Sequence, residues 1–389
     1  MTASITFFPV GNGDMTLVTF DNGQKLLIDL LARKAADDAD DETPDVMSDL
    51  RGRLTRDEKG RLFVDGFLLS HPDADHICGL ETHFHLGTPG DWDEDGDKIL
   101  IREMWSSPIV FRRASKDHVL CDDAKAWAKE ARRRVALYRE KGTATIEGDR
   151  IQIMGEDQDG KTDDILPIVV KAEALVTSLN RVASGTFEGR LLAPIPHDDD
   201  EKLEELLGKN QSSVIIRFSI LGGGVLDKCR FLSGGDAEAA IWERLWDKHG
   251  DYNADWLSYD ILQTPHHCSW HSLSYDSYST YGEDAEVCEG ARNALAQIRK
   301  GAVIVASSKT IDPEDVDPPS DRAKREYITI VDDAEDRFIC VADVWDDEDR
   351  ALQYDVTGSG VTKAVKSAAK AAVAALGIGA TAAQARSHG

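Results

Sequence analysis

Residues 62–76 read LFVDGFLLSHPDADH, an apolar run that leads directly into a cluster of histidine and aspartate side chains. The apolar run predicts a buried β-strand, and the cluster falls at its end, where α/β proteins commonly build their sites. Because alternate residues of an extended chain point the same way, His71, Asp73 and Asp75 can converge, and a tight turn brings His76 beside them. This mixture of imidazole and carboxylate donors suits zinc, manganese or iron. A polar surface loop is the alternative, and the apolar strand before the cluster argues against it.

Two more clusters of polar residues follow apolar segments later in the chain. FLSGGDAE places Asp236 after a predicted strand and before a helix, where an aspartate also serves as an ordinary N-cap. TPHHCSWHS places His266 and His267 after another predicted strand, with His271 nearby. Together, the three clusters can supply ligands for two metal ions and a carboxylate that bridges them.

The chain as a whole alternates predicted strands and helices, which is typical of α/β proteins. The first 30 residues predict strands joined by the turns GNGD and DNG, and residues 122–142 predict an amphipathic helix with Arg132–Arg134 exposed. TIEGDRIQIM (145–154) predicts a hairpin, and EYITIV (326–331) with FICVADVW (338–345) predicts a closing pair of strands.

The domain prediction is one catalytic unit with an insertion and a tail. Residues 1–350 form the main domain, and residues 87–205 within it look like a helical insertion. Residues 351–389 form an Ala/Gly-rich tail, which predicts a flexible or loosely docked segment. A helix that binds a protein partner or a membrane surface is the alternative for this tail.

Composition excludes several classes of protein. The 389 residues contain 45 Lys+Arg and 71 Asp+Glu, for a net charge of −26, so a protein that coats duplex nucleic acid is not expected. No apolar run is long enough for a transmembrane helix, and no secretory signal is recognisable. The six cysteines are scattered without a CxxC pair, which predicts a cytoplasmic protein without a disulfide framework.

The motifs GNGD, LLIDL, LLSHPDADHICGL, SSVIIRFS, FLSGGDAE and LQTPHHCSWHS, in this order, resemble the metallo-β-lactamase fold superfamily. Within it, the chain is similar to the soluble hydrolase domain of ComEC/Rec2-type competence proteins. The resemblance covers residues 1–31, 62–82 and about 210–345. It implies an α/β fold, a four-layer αββα metallo-β-lactamase sandwich, with the insertion and the tail outside it. Because no ComEC-like membrane segment is present, a role in DNA uptake does not follow.

The resemblance also implies one or two divalent ions per chain, with zinc expected and manganese or iron as alternatives. The ligands that it implies are His71, Asp73, Asp75, His76, Asp236, His266 and His267. His71 and Asp73 would hold one metal, and Asp236 would bridge to the other. The second metal would be held by Asp75 and His76 together with only one of His266 and His267.

The pattern departs from the family at the first metal, whose usual third histidine has no clear counterpart. His197 and Asn210 are candidates for the missing third ligand. For His197, the simpler interpretation is a histidine in a loop without a ligand role. Cys268 and Cys78 stand where the family has glycine, and we predict that both are small buried residues.

A bound metal lowers the pKa of water to about 7, so the pattern predicts hydrolysis by metal-activated hydroxide. The catalytic residues are expected to be Asp75 and Asp236, which would orient water and accept its proton, and His267. His266 and His271 are alternatives to His267 for protonating the leaving oxygen. Ser269 and Ser272 are candidate hydrogen-bond donors, either to a phosphate or to the side chains that hold the metal.

Three functions stay open at this point. The first is a phosphodiesterase or nuclease that acts on a phosphodiester or nucleotide, with a basic wall from Arg112, Arg113, Lys116 and Arg132–Arg134. The second is a hydrolase of a small ester, lactam or thioester. The third is a non-catalytic metal-binding module that acts on a protein partner through its tail.

Overall fold

Two large β-sheets face each other in the described part of the chain and enclose an apolar core. The core takes side chains from both sheets, and the ring centroids of Phe7 in one and Phe231 in the other lie 5.8 Å apart. Alternating apolar residues explain this packing, because residues two apart face the same side of a sheet. The computed structural model describes residues 1–38, 40–111, 120–156, 160–183, 185–195, 212–315 and 317–365.

The first sheet has the strand order β20-β19-β1-β2-β3-β5-β7-β8-β9, with β4 and β6 paired at its side. Its strands are β1 (Ala3–Phe7), β2 (Thr16–Thr19), β3 (Lys25–Ile28), β4 (Thr55–Arg56), β5 (Leu62–Leu69), β6 (Phe84–His85), β7 (Ile99–Ser106), β8 (Arg150–Met154), β9 (Val169–Val170), β19 (Leu352–Thr357) and β20 (Gly360–Lys363). Strands β3 and β5 are parallel neighbours. The residues that follow them, Asp29 and Ser70, therefore leave the same edge of the sheet.

The second sheet has the order β10-β13-β14-β15-β16-β17-β18, and a separate short pair is formed by β11 and β12. Its strands and that pair are β10 (Leu175–Val176), β11 (Ser178–Leu179), β12 (Val182–Ala183), β13 (Phe187–Ala193), β14 (Ile215–Gly222), β15 (Val225–Ser233), β16 (Tyr259–Gln263), β17 (Ile298–Ala306) and β18 (Phe338–Cys340). Strands β15 and β16 are parallel. The segments after them, which contain Asp236 and His266, therefore also meet at one edge.

Several helices of the described chain add apolar side chains to the clusters beside each sheet. They are α1 (Val46–Arg53), α2 (Ala74–Ile77), α3 (Leu80–His83), α4 (Asp122–Lys141), α5 (Ala239–His249), α6 (Tyr278–Tyr281), α7 (Glu289–Leu295), α8 (Asp321–Ile330) and α9 (Val341–Glu348). On the first sheet, Trp127 of α4 lies 5.0 Å from the ring of Phe67. On the second, Trp242 of α5 packs in a cluster with Leu232 and Leu262. Within the described ranges, no helix combines the length and apolarity needed to cross a membrane.

Two of the predicted secondary structures are wrong. Residues 145–154 contain only the single strand β8 and no hairpin, and most of EYITIV lies in helix α8. Ser320 starts this helix by accepting a hydrogen bond from the amide of Ala323. Ala323, Tyr327 and Ile330 are then buried at helical spacing, so the apolar residues favour a helix despite their β-branched character. The second half of FICVADVW is likewise helical, as α9.

The segment predicted as an insertion, residues 87–205, contributes strands to both sheets. β7 lies between β5 and β8 in the first sheet, and β13 lies between β10 and β14 in the second. The first sheet also continues beyond residue 351, where the tail was predicted to begin, because Leu352, Tyr354 and Val356 alternate inward along β19. The division of the chain into domains stays a prediction, and residues 366–389 of the tail lie outside the described residues.

The arginine run on α4 differs from its prediction as an exposed basic surface. Arg134 is fully buried, donates to the carboxylate of Glu130, and also donates to the carbonyl oxygens of Ile101 and Arg150. Arg133 contacts Glu130 as well. Buried charges persist when partners satisfy them. Glu130 lies one turn earlier on the same helix, whereas the two carbonyl oxygens come from strands β7 and β8.

Candidate metal centre

Five segments meet at the shared edge of the sheets, where backbone hydrogen bonds join neighbouring ones. The amide of Asp14 donates to the carbonyl of Asp75, and the amide of Leu30 donates to the carbonyl of His76. The amide of His266 donates to the carbonyl of Gly235, beside Asp236. The three clusters predicted from the sequence therefore come together with the GNGD turn in one place.

The carboxylate of Asp236 lies at the centre of this site and is buried. Its Oδ1 atom is 3.0 Å from Nε2 of His76 and 3.6 Å from Nε2 of His267. Its Oδ2 atom is 3.3 Å from Nε2 of His71 and 3.6 Å from Nε2 of His266. The two oxygens of one carboxylate thus face two different pairs of imidazoles.

The Oδ1 side of Asp236 forms a compact group of potential ligands. Asp75, His76, Asp236 and His267 each bring one ligand atom to within 4.8 Å of the others. Oδ2 of Asp75 is 3.3 Å from Nε2 of His267. The side chain of Asp75 is 39% exposed, so this group is open to solvent on one side.

The Oδ2 side of Asp236 collects the remaining predicted ligands. Nε2 of His71 lies 4.0 Å from Oδ2 of Asp73, in addition to its approach to Asp236. His266 faces this side as well, whereas His267 faces the other. His266 and His267 therefore face different oxygens of Asp236, a choice that the sequence left undecided. His266 is thus a third imidazole or carboxylate side chain on the side of His71 and Asp73.

Asp29 organises both histidines of the first cluster from behind. Its Oδ2 atom lies 2.7 Å from Nδ1 of His76 and accepts from the hydroxyl of Ser70 at 2.6 Å, while Oδ1 accepts from the amide of Ser70. Because the Ser70 proton is used on Asp29, the Ser70 oxygen accepts from Nδ1 of His71, 3.1 Å away. Both rings thus have Nδ1 engaged, which directs Nε2 of each toward Asp236.

Asp14 stands behind the third histidine in a similar way. Its Oδ1 atom lies 3.3 Å from Nδ1 of His267, and both residues are buried. Asp14, Asp29 and His76 also form a second compact group of buried ligand-type atoms. Since Asp29 is already used by His76 and Ser70, we interpret this group as the support of the centre.

Backbone strain is concentrated at the same place. His266, His267 and Cys268 have φ angles of 49°, 53° and 68°, three successive non-glycine residues in the left-handed region. Such conformations cost free energy and are retained mainly at functional sites. Gly235, at φ 49°, has a further constraint, because a Cβ atom there would lie 2.9 Å from the hydroxyl of Ser70.

Electrostatics strongly couple these groups in the metal-free chain. Burial alone would lower the pKa of His267, but the charge of Asp236 and the nearby Asp14 and Asp75 raise it to about 10. His76 also has a raised pKa, since Asp236 and Asp29 outweigh its burial. Burial opposes the charge of Asp236, yet the three surrounding histidines hold its pKa well below the usual range. The site therefore favours negative carboxylates and positive charge between them.

The donor set fits a divalent metal. Nε2 of His71, Nε2 of His76, Nε2 of His267 and Oδ1 of Asp236 are buried and make no hydrogen bond. Buried polar atoms are nearly always satisfied, so unpartnered atoms that converge on one place indicate a missing ligand. Imidazole nitrogen and carboxylate oxygen are ligands of zinc and related transition metals.

Other predicted residues fall into three groups. Ser269 and Ser272 are buried and support the local backbone: Ser269 accepts from the amide of His271, and Ser272 donates to the carbonyl of Pro265. Their role as donors to a phosphate stays a prediction. Cys268 is buried, as predicted, whereas Cys78 is only partly buried. His197, Asn210, Arg112, Arg113 and Lys116 lie outside the described residues.

Asp14, Asp29 and Ser70 are the supporting residues for which sequence analysis had given no role. The signal was present, because Asp29 ends the apolar strand KLLID and Asp14 closes the GNGD turn. An aspartate directly after a buried strand is in the same position as the predicted ligands. What the sequence lacks is a sign that these carboxylates lie behind the imidazoles.

Comparisons with known proteins add little to this geometry. No family model matches the chain, and no curated protein matches it. Among solved structures, it is similar to Igni18, described as a novel metallo hydrolase from the hyperthermophilic archaeon Ignicoccus hospitalis KIN4/I. The likeness covers 87% of this chain and 94% of that chain at 14% identity, with a TM-score of 0.34. A likeness this weak carries no argument about the chemistry here.

Proposed function

We propose that the chain is a metal-dependent hydrolase with a two-metal centre in a four-layer αββα sandwich. One observation carries the proposal. Asp236 is buried, and each of its two oxygens faces the Nε2 atoms of a different pair of histidines. A carboxylate in this position can bridge two cations. Hydrogen bonds alone do not explain it, because several of the nitrogens around it are unpartnered.

The ligands divide between the two oxygens of Asp236. Asp75, His76 and His267 would hold one ion at Oδ1. At Oδ2, the second ion would be held by His71, Asp73 and His266. In this assignment His266 takes the place of the third ligand that the sequence pattern seemed to lack. Zinc remains the expected metal.

The roles of the protein groups follow from their exposure. The bound ions would lower the pKa of water and neutralise charge on the substrate. Asp75 is the solvent-facing carboxylate of the centre and is suited to orient water and accept its proton. His271 is 41% exposed and lies 3.5 Å from Oδ2 of Asp317, so it is the candidate to protonate the leaving oxygen. His267, by contrast, is enclosed and acts as a ligand.

We propose a small phosphodiester as the substrate. Two adjacent cations suit a phosphodiester, since both the attacking and the leaving oxygen can be stabilised. The net charge of −26 disfavours a long nucleic acid, and Arg133 and Arg134 are occupied by partners within the protein. Cytoplasmic location and a protein partner at the tail stay predictions.

Hydrolysis of bis-p-nitrophenyl phosphate, with and without a chelator, tests this proposal against a lactam reporter. We expect chelator-sensitive turnover of the phosphodiester, and loss of that turnover in Asp75→Asn and His76→Ala. Asp122→Asn, at the exposed start of α4, is the matched control and should keep full activity. Activity on the lactam alone would favour the small-ester hydrolase. Metal binding without activity on either substrate would favour the non-catalytic module.

A further inference from the structure

A row of three arginines crosses the outer face of the second sheet, away from the predicted ligands. Arg190 on β13 is directly paired with Arg217 on β14. Arg230 on β15 is paired with Ser219, two residues along β14 from Arg217, so it projects on the same face. Like charges opposite each other on neighbouring strands destabilise a sheet, so this arrangement requires a compensating interaction.

Arg217, the middle residue of the row, forms no ion pair with any of the described residues. It is only 7% exposed, and its Nε and Nη1 groups are buried without a hydrogen-bond acceptor. No carboxylate among the described residues is recorded within ion-pair distance of its guanidinium. A buried charge in this state destabilises the fold unless a counter-charge is supplied.

Its two neighbours are already engaged. Arg190 stacks over the ring of Trp256, with Cζ 4.0 Å from the centroid, and donates to the carbonyl of Glu173. Arg230 forms ion pairs with Asp227 and Asp255. Asp227 and Asp255 thus form their ion pairs with Arg230 and act on Arg217 only at longer range.

The protonation state supports the same reading. Burial is the main cause that lowers the pKa of Arg217 to about 10. The charges of Arg230 and Arg190 also lower it, whereas the more distant charges of Asp227 and Asp255 oppose this shift. The guanidinium is still charged at neutral pH. It therefore presents two unused N–H donors and a positive charge at the same point.

We propose that Arg217, with Arg190 and Arg230 beside it, binds an oxyanion of the phosphate class. A guanidinium offers its N–H groups as a planar fork that matches two oxygens of a phosphate, and the bond is strengthened by charge. The ligand is either free phosphate or the phosphoryl group of a nucleotide-like molecule. None of these arginines belongs to the Asp236 cluster, so the inference is independent of the proposed function.

Thermal unfolding of the full chain tests this inference, measured in sodium phosphate and in sodium chloride of equal ionic strength, with EDTA present in both. We expect phosphate to raise the Tm of the unchanged protein by at least about 2 °C over chloride at saturation. Arg217→Met should abolish this difference, and Arg217→Lys, which keeps the charge without the fork, should weaken phosphate binding about tenfold. Arg139→Met, at an exposed arginine paired with Asp164, should retain it.

The Tm of Arg217→Met in chloride is the control that shows whether this variant folds. Arg217→Met should be at least as stable there as the unchanged protein, because it removes a desolvated charge. Adding AMP in place of phosphate separates the two sources: a lower half-saturating concentration indicates a phosphoryl group on a larger molecule, and a higher one indicates the free anion. The inference is overturned if phosphate and chloride act alike, if Arg217→Met keeps the response, or if the response requires EDTA to be absent.

Discussion

The Oδ2 atom of Asp29 lies 2.7 Å from Nδ1 of His76, at the end of a strand that is parallel to the one preceding His76. Through Ser70, the same carboxylate also fixes Nδ1 of His71. One buried aspartate thus sets the ring orientation of a histidine on each side of Asp236. Both halves of the proposed centre depend on it.

Asp29→Asn should weaken metal binding about 10- to 100-fold, because loss of a carboxylate behind a ligating imidazole has effects of this size. Competition with a chromogenic chelator measures the affinity. Asp65→Asn is the matched control: Asp65 is a buried carboxylate of the same sheet that contacts Lys25 and Arg102 instead of a histidine. Equal affinities in the two variants would refute the role of Asp29.

Replacing each of the adjacent histidines should remove a different ion. His266→Ala is expected to lose the ion at the Oδ2 side of Asp236, and His267→Ala the ion at the Oδ1 side, so that each retains about one ion. Metal content after dialysis checks the stoichiometry, and cobalt spectra distinguish the two remaining sites. Unchanged content in His266→Ala would exclude this residue as a ligand.

Metal-free protein should become less stable as the pH rises from about 6.5 to about 10. The pKa of His267 is raised to about 10 in the folded chain, so its stabilising contribution is complete below the unfolded value, near 6.5. Between the two pKa values the folded chain binds more protons than the unfolded chain, so its stability falls as the pH rises. The contribution is lost once the pH exceeds the folded pKa and the folded chain has released this extra proton. Urea unfolding in EDTA at several pH values measures this slope.

His267→Gln should flatten this slope, and metal should do so in the unchanged protein because bound imidazoles are deprotonated. A stability that rises over the same pH range would contradict the electrostatic account of the site.

Glu130→Gln should destabilise the fold by about 3–5 kcal/mol, because it leaves the buried Arg134 without its carboxylate. Urea unfolding gives the free energy. Glu140→Gln, at an exposed position of the same helix, should change stability by less than about 0.5 kcal/mol. Similar values for the two variants would show that the Arg134 pair contributes little.

Much of the proposed centre could be predicted because its ligands directly follow apolar strands. Parallel pairing then brings those strand ends to one edge, as it does for β3 with β5 and β15 with β16. The division between His266 and His267 could not be predicted. Their left-handed backbone angles turn the two rings 79° apart, and such angles have no sequence signal in non-glycine residues.

Long-range partners account for the wrong predictions. Arg134 looks like an exposed charge on its helix. Glu130 is its neighbour one turn earlier, but only the fold supplies the carbonyl oxygens of Ile101 on β7 and Arg150 at the start of β8. EYITIV has strand-forming residues, but packing of Tyr327 and Ile330 against the second sheet favours the helix. Local pattern thus identified the ends of strands better than it identified burial on helices.

Metal content by mass spectrometry, on the unchanged protein and on Asp236→Asn after dialysis from metal-replete buffer, tests the two-metal centre most directly. We predict about two transition-metal ions per chain in the unchanged protein and fewer than one in the variant. A chain that retains no transition metal under these conditions, or a variant that retains both ions, would contradict the bridging role of Asp236.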